Sequence, residues 1–549
     1  MYQPTDFIPT DVKINSWNDL KPYFDKLVET NPKSVQELES LIIHFSEVVS
    51  VYAEQLARAY IKMTCHTENK DYVKRHEMFI TDITPQLDHY SNNINKNIVA
   101  SEFFDQLDSD GYDQFRKLTK RELEMFRKEN IELDTHDHKL RSEYEQTAGK
   151  LLVQLDGKDI PIPQAQVKLE SDNREERKKA WLAVQNCRYK EKQQFDKLID
   201  KMIVVRHQMA KNAGYKNFRD FKHDDLARFD YTVDDVLKFH ESIEHHVTPL
   251  LSKIVNKHRD RLELPENDFR PWDMAGKPKS EVPLNPFKSG KELLDKTKTI
   301  FTKLRPDFGA NLEAMEKAEL FDLESRPGKA PGGYNYGLEV TGMPFIFMNA
   351  AGVHRDVTTL MHEGGHAMHT FLTNNNSLFH YRNPPSEMAE TASMSMELLT
   401  SSHWNEFYNE KAHKRARREH LEDIISGFPW IATVDSFQHW LYTNPEHSVE
   451  ERDEHFNNLM DRFGTQSINW EGNEHFRSNA WQKQLHIFSV PFYYIEYAIA
   501  QIGALQVYRN YCQDPTGSLA AYVDGLKLGY SKPIPEVWEK MNIRFDFST

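Results

Sequence analysis

The stretch from Thr358 to Leu372, TTLMHEGGHAMHTFL, decides how the rest of the chain is read. Its apolar residues recur at helical spacing, and His362 and His366 lie four apart, so both project from one helix face. Two imidazoles on one face can share a zinc ion, and Glu363, one position after the first, can reach a reacting water without occupying a coordination position. The HExxH pattern also arises by chance, so it needs support from its neighbours. Gly364 and Gly365 each weaken a helix interior by about 1 kcal/mol relative to alanine, so the pair predicts a close approach to this helix backbone. The edge of the strand-like stretch GMPFIFMN (342–349) is the expected neighbour.

A catalytic zinc ion commonly keeps three protein ligands and one open position. The pattern HExxHxxGxxH would place the third at 372, but that position is Leu372, and His369 stands where the pattern has glycine. The next source is EMAETASMSMELL (387–399), which reads as a helix with three glutamates. Glu390 follows His362 by 28 positions; Glu390 and Glu397 are seven apart and share a face, and Glu387 lies about one turn earlier. One of these carboxylates can ligate while another holds a ligand imidazole by its remaining N–H. His369 would crowd a tetrahedral site and is read as structural or as an outer support for a ligand; His354 and His380 are read as ordinary satisfied histidines.

Outward from this region the chain is 549 residues long, enough for several domains or one large helical body with more than one core. Its 69 basic and 84 acidic residues leave a net charge of −15, which argues against nucleic acid as a partner. Cys65, Cys187 and Cys512 are far apart and form no CxxC, so a reducing compartment is expected. The amino terminus, with Pro4, Asp6 and Asp11, lacks the basic start and apolar stretch of a secretory signal. The apolar stretch His486 to Leu505 contains Glu496 and Gln501 and falls short of a membrane span. A cytoplasmic protein with no membrane contact and no obligatory protein partner is expected.

The first 150 residues carry apolar residues at helical spacing, as in Val35 to Met63 and Phe104 to Asn130. The proline-containing segment IPIPQAQVKL (160–169) places a boundary near 160, giving an amino-terminal helical region (1–160) and a catalytic region (161–549). Helical patterns resume over Asn173 to Ala213 and Val233 to Leu262, and 268–290 reads as irregular. Strand character is confined to Phe321 to Asn349, so the fold class is mostly α with a small sheet beside the HExxH helix.

Taken together, HEGGHAMH (362–369), AETAS (389–393) followed by Glu397, RPGKAPGGYNY (326–336), PFIFMN (344–349) and HIFSVPFYYIEYAIAQIGA (486–504) resemble the thimet oligopeptidase and oligoendopeptidase F family of zinc peptidases. The similarity is closest to the oligoendopeptidase F branch and runs from about His207 to the end, with only helical character supporting it earlier. The resemblance implies a two-lobed helical body with a deep central channel and one zinc ion per chain. It implies cleavage of internal bonds in short peptides. Glu390 becomes the third ligand and Glu397 its supporting neighbour, with His486, Tyr494 and Tyr497 facing the scissile bond. The histidine-to-tyrosine spacing is one residue shorter than in the thimet-type branch, which leaves Tyr493 as a rival for Tyr494. Gly332, Gly333 and Tyr334 correspond to the glycine-rich substrate-binding segment.

Two alternatives stand beside a zinc oligopeptidase. One is a carboxypeptidase or dipeptidyl carboxypeptidase on a similar scaffold, which would also combine HExxH with a distant glutamate. The other is a catalytically silent helical scaffold that binds peptides. The intact Glu363 speaks for catalysis, because a structural zinc site would be closed by four Cys or His ligands.

Overall fold

A computed structural model describes residues 5–547. Helices dominate, and the strands form two small sheets: a hairpin of β1 (Leu152–Leu155) with β2 (Lys158–Pro161), and a three-stranded sheet of β3 (Phe321–Glu324), β4 (Tyr334–Leu338) and β5 (Met343–Ala350). The mostly α expectation with a sheet near 321–349 therefore holds. The hairpin corrects the expectation that strand character is confined to 321–349, and its turn is made by Asp156 and Gly157, both at positive φ.

Several helices match their sequence patterns closely, as in Val35–Cys65, His354–Thr373 and Ser386–Thr400. The helical spacing from Phe104 to Asn130 is divided among a 3-10 turn (Phe104–Gln106), a helix from Ser109 to Met125 and the start of a new helix at Asn130. The pattern from Val233 to Leu262 is helical throughout but contains a π-helical turn, Ile243–Val247, ahead of Pro249, whose missing N–H cannot continue the ladder.

The chain forms two compact units, each assembled from separated segments. The first comprises 1–124, 284–417 and 499–546; the second comprises 125–283, 418–498 and 547–549, so the segment near 160 lies within the second. In the first unit, Phe24, Leu38, Phe45, Phe79 and Phe115 form a core with Leu378 and Tyr381 from far along the chain. Tyr381 ties this core together by donating to Gly111 O (2.8 Å) and accepting from Phe115 N (3.1 Å).

In the second unit, Arg206 is 1% exposed and donates to Asp137 and to the Tyr442 hydroxyl, which is 2.6 Å away. A buried guanidinium without its carboxylate would be strongly destabilising, so this pair fixes the helices 130–149 and 192–212 together. No disulfide joins the three cysteines, and no helix among the described residues is long and apolar enough to cross a membrane.

Candidate active site

The HExxH helix (His354–Thr373) begins where Asp356 Oδ2 accepts from the backbone N–H groups of Ala351, Gly352 and Val353 at 2.8 to 3.0 Å. These would otherwise be orphaned donors at a helix start. The helix packs against the glutamate helix (Ser386–Thr400), and the two glycines explain how closely. A Cβ on Gly365 would stand 2.6 Å from Ser393 Cα and 3.0 Å from Ala392 O, and one on Gly364 would stand 2.5 Å from the Phe301 ring. The close approach expected from the sequence is real, but its partner is corrected: the atoms nearest the two glycines belong to the glutamate helix and Phe301, not to the sheet.

This contact supplies a prediction. Gly365→Ala gains about 1 kcal/mol of helix propensity but must move a backbone, and overpacking of this kind costs about 1–3 kcal/mol or more. Gly365→Ala is therefore expected to lower the urea midpoint, whereas Gly364→Ala, facing a ring that can tilt, loses less. Equal midpoints for both variants would remove the helix contact as the reason for Gly365.

The consequence of the close packing is a three-residue group. His362 Nε2 and His366 Nε2 lie 3.2 and 3.6 Å from the same oxygen of Glu390, with one ligand atom of each residue within 4.8 Å of the others. The two rings stand nearly perpendicular, with centroids 4.9 Å apart. Both histidine side chains are about one fifth exposed (21% and 19%), while Glu390 is buried, so the group opens on the imidazole side. Glu397 accepts from Nδ1 of His362 at 2.7 Å, and Ser393 donates to Glu390 at 3.0 Å. Glu387 is buried one turn earlier on the same helix and is not part of this group.

The electrostatics fit a cation site. Burial disfavours charge on Glu390, but the two imidazoles outweigh it and hold its carboxyl at about 2. His362 is likewise opposed by burial, yet Glu390 and Glu397 hold its proton well above the ordinary histidine range. A positive charge is thus favoured between these atoms. His366 is pushed by burial down to about 4, which leaves it neutral and able to ligate. A His, His, Glu donor set of this spacing suits zinc.

Glu363 is 6% exposed, and burial, helped by the charges of Glu390 and Glu397, pushes its carboxyl up to about 7. Its backbone oxygen accepts from Asn335 Nδ2 of β4 at 3.2 Å. A Cβ on Gly333 would stand 3.9 Å from Glu363 Oε1, so this glycine flanks the carboxylate. Gly332 adopts a positive φ of 99°, and its carbonyl accepts from Asn349 Nδ2 at 2.8 Å. Tyr334 stacks on Phe347, and its hydroxyl is hydrogen-bonded to Thr64 at 2.6 Å.

His369 is buried, pushed down to about 3 by burial despite a bond to the Leu526 backbone, and is not part of the converging group. His354 pairs with the Tyr408 hydroxyl and His380 with Glu122, each through one ring nitrogen, and neither joins the converging group.

In the second unit, His486, Tyr493, Tyr494 and Tyr497 form one aromatic cluster. The His486 ring lies 4.6 Å from Tyr494, 5.9 Å from Tyr497 and 6.2 Å from Tyr493. Both rival tyrosines therefore stay beside His486. Three residues that sequence reasoning missed set this cluster in place. Arg206 donates to the carbonyls of Ile487 and Phe488, and Arg228 donates to Glu496 at 2.6 Å. Gln438 accepts from the N–H of Phe492, whose φ of +64° is strained for a bulky residue. No local pattern announces such partners, which lie 54 to 282 positions away. Ser393, three positions after Glu390 on one helix face, was within reach of the spacing argument.

Comparison with known proteins gives a consistent set of matches. The model of peptidase family M3 matches residues 167–549, and that of the peptidase M3 N-terminal domain matches 7–126. The chromosomal oligoendopeptidase F of Lactococcus lactis subsp. cremoris is 25% identical over 69% of this chain and 61% of its own length. The oligopeptidase PepF of Bacillus subtilis is 23% identical over 68% of this chain and 55% of its own length. The chain thus spans less than two thirds of the length of these relatives. Among solved structures, Pz peptidase A with an inhibitor superposes with a TM-score of 0.90 at 27% identity, covering 100% of this chain and 95% of that one. A putative oligoendopeptidase F superposes with a TM-score of 0.90 at 26% identity, covering 99% and 95%.

Proposed function

The chain belongs to peptidase family M3, whose model covers more than half of it, and from that premise we propose that it is a zinc-dependent oligopeptidase cleaving internal bonds of short peptides. The observation that carries the proposal is the convergence of His362, His366 and Glu390 on one point, with the buried Glu363 next to the first of them. In this reading the three side chains hold the ion. Bound zinc would supply Lewis acidity toward water and the peptide carbonyl.

The rest of the chemistry belongs to the chain's own residues. Glu363 takes a proton from the attacking water, for which a carboxyl tuned to about 7 is well matched near neutral pH, and passes it to the departing amine. Glu397 holds the Nδ1 side of His362 and so keeps its Nε2 aimed at the site. Gly333, flanking Glu363 without a side chain, leaves room for a peptide backbone.

The similarity to oligoendopeptidase F supports internal cleavage over the carboxypeptidase alternative. A short peptide blocked at both ends decides between them: cleavage at an internal bond, lost with chelator and restored by zinc, is the expected result. Attack only on peptides with a free carboxyl terminus would establish the alternative, and absence of any zinc-dependent cleavage would leave the silent scaffold. Short peptides are expected to be far better substrates than denatured casein, measured as kcat/KM; comparable values would refute an oligopeptidase.

The roles of His486, Tyr494 and Tyr497 rest on the resemblance of their segment. A phenol donating to the developing oxyanion adds about 10²- to 10³-fold to turnover and little to ground-state binding. Tyr497→Phe and Tyr494→Phe should therefore lower kcat with KM and zinc content nearly unchanged. Wild-type kcat in both, or a defect in Tyr493→Phe alone, would reassign the role.

A further inference from the structure

The second unit contains another buried group of metal-ligating side chains. His240 lies on the helix Val233–Ser242, and Asp435 and His439 lie one turn apart on the helix Glu410–Thr443. His240 is 1% exposed, Asp435 0% and His439 8%. His240 Nε2 and His439 Nε2 stand 2.9 and 3.2 Å from the same oxygen, Oδ2 of Asp435, and one ligand atom of each residue lies within 4.8 Å of the others. These separations are close to those of the HExxH group, 3.2 and 3.6 Å. Donors about 2.0–2.2 Å from a tetrahedral zinc ion stand about 3.3–3.6 Å apart, so little movement would admit one.

Hydrogen bonds alone give an incomplete account of this group. If both imidazoles donate to Oδ2, then Oδ1 of Asp435 and Nδ1 of His439 remain buried with no hydrogen-bond partner among the described residues. Leaving such groups dry and unpaired is costly, most of all for a carboxylate. Arg462, whose charge acts on His240, is itself paired with Glu244 at 2.6 Å. Ser436 Oγ lies 3.0 Å from Nδ1 of His240. Where that hydroxyl accepts a hydrogen bond from Nδ1–H of a neutral ring, Nε2 turns its lone pair toward Oδ2, an arrangement that a shared cation would satisfy. The rings of Phe463 and Phe492, 6.3 Å from His240 and 5.4 Å from His439, line the group with apolar surface.

We propose that His240, Asp435 and His439 form a second metal site, which takes a divalent ion of the zinc class and braces the helix Val233–Ser242 against the helix Glu410–Thr443. Two imidazoles and one carboxylate are borderline donors suited to zinc or cobalt, and poorly suited to calcium or magnesium. The ligands are buried beneath packed helices, so the ion braces and does not react, and Oδ1 of Asp435, which has no hydrogen-bond partner among the described residues, is the fourth donor that the group itself offers. His439 packs on Phe492, the strained residue that leads into the tyrosine cluster, so the ion also steadies the base of that segment.

The test uses the full chain carrying His362→Ala and His366→Ala, which removes the HExxH donors and makes the result independent of the proposed peptidase activity. Protein from zinc-supplemented cells, washed briefly with chelator, is expected to retain about one zinc ion per chain, as a buried structural site would. Adding Asp435→Asn should lower that content more than tenfold. Because a variant at Asp435 can fail to fold, His439→Gln provides a second probe, checked by circular dichroism. Cobalt-loaded parent protein should show the visible bands of a four-coordinate ion, and His439→Gln should lose them. A parent chain that holds no zinc and shows no cobalt bands would overturn the proposal. So would zinc retained equally by folded Asp435→Asn and His439→Gln chains, which would mark an adventitious ion only.

Discussion

Glu363→Gln is expected to lower kcat by about 10³-fold or more, at the upper end of what a positioned general base contributes, while zinc content stays that of the parent protein. The amide fills the same space but cannot accept the proton of water. Glu363 is 6% exposed and is not among the three converging ligand atoms, so neither the fold nor the metal should depend on its charge. Removing a buried carboxylate also relieves its desolvation cost, so the variant should melt no lower than the parent. Retention of a tenth of the parent's kcat, or loss of zinc, would contradict the role.

The same residue sets a pH dependence. The base works as the carboxylate, so kcat/KM rises with pH through its titration. Burial pushes that titration up to about 7, and a bound cation nearby would draw it down. The acidic limb of the profile is therefore expected at or below pH 7, and the residual activity of Glu363→Gln should lack it. An unchanged limb in the variant would assign it to another group.

Glu390→Ala is expected to weaken zinc binding by well over about 100-fold, beyond the 10- to 100-fold typical of residues that only orient a ligand. Glu390 supplies the oxygen shared by both histidines, at 3.2 and 3.6 Å. Glu397→Ala should fall within the smaller range, because its contact is to the far nitrogen of His362. Glu387→Ala should leave zinc affinity nearly untouched. Competition with a chromophoric chelator measures all three, and similar losses for Glu387→Ala and Glu390→Ala would undo the assignment.

The sequence by itself determined much of this. Helical spacing marked the helices that carry the site, because a run such as His354–Thr373 buries one face and writes that face into its pattern. The i, i+4 histidines and the seven-residue spacing of Glu390 and Glu397 are local periodicities, legible before any fold is known. The glycine pair announced a close approach for the same reason, since a missing side chain is visible in the sequence and its cause is local.

Only the tertiary structure decided what filled that gap. Gly365 faces Ser393 and Ala392, and this contact brings Glu390 onto the two histidines from 24 positions beyond the second. The break near Met125, the hairpin at 152–161 and the partition into interleaved units left no comparable periodic trace. Neither did Arg206, Arg228 and Gln438, nor the pairing of His240 with Asp435 across 195 residues. Such partners meet because packed helices bury polar groups that must then be satisfied, and the folded chain, not the order of residues, selects which group is near enough to do so.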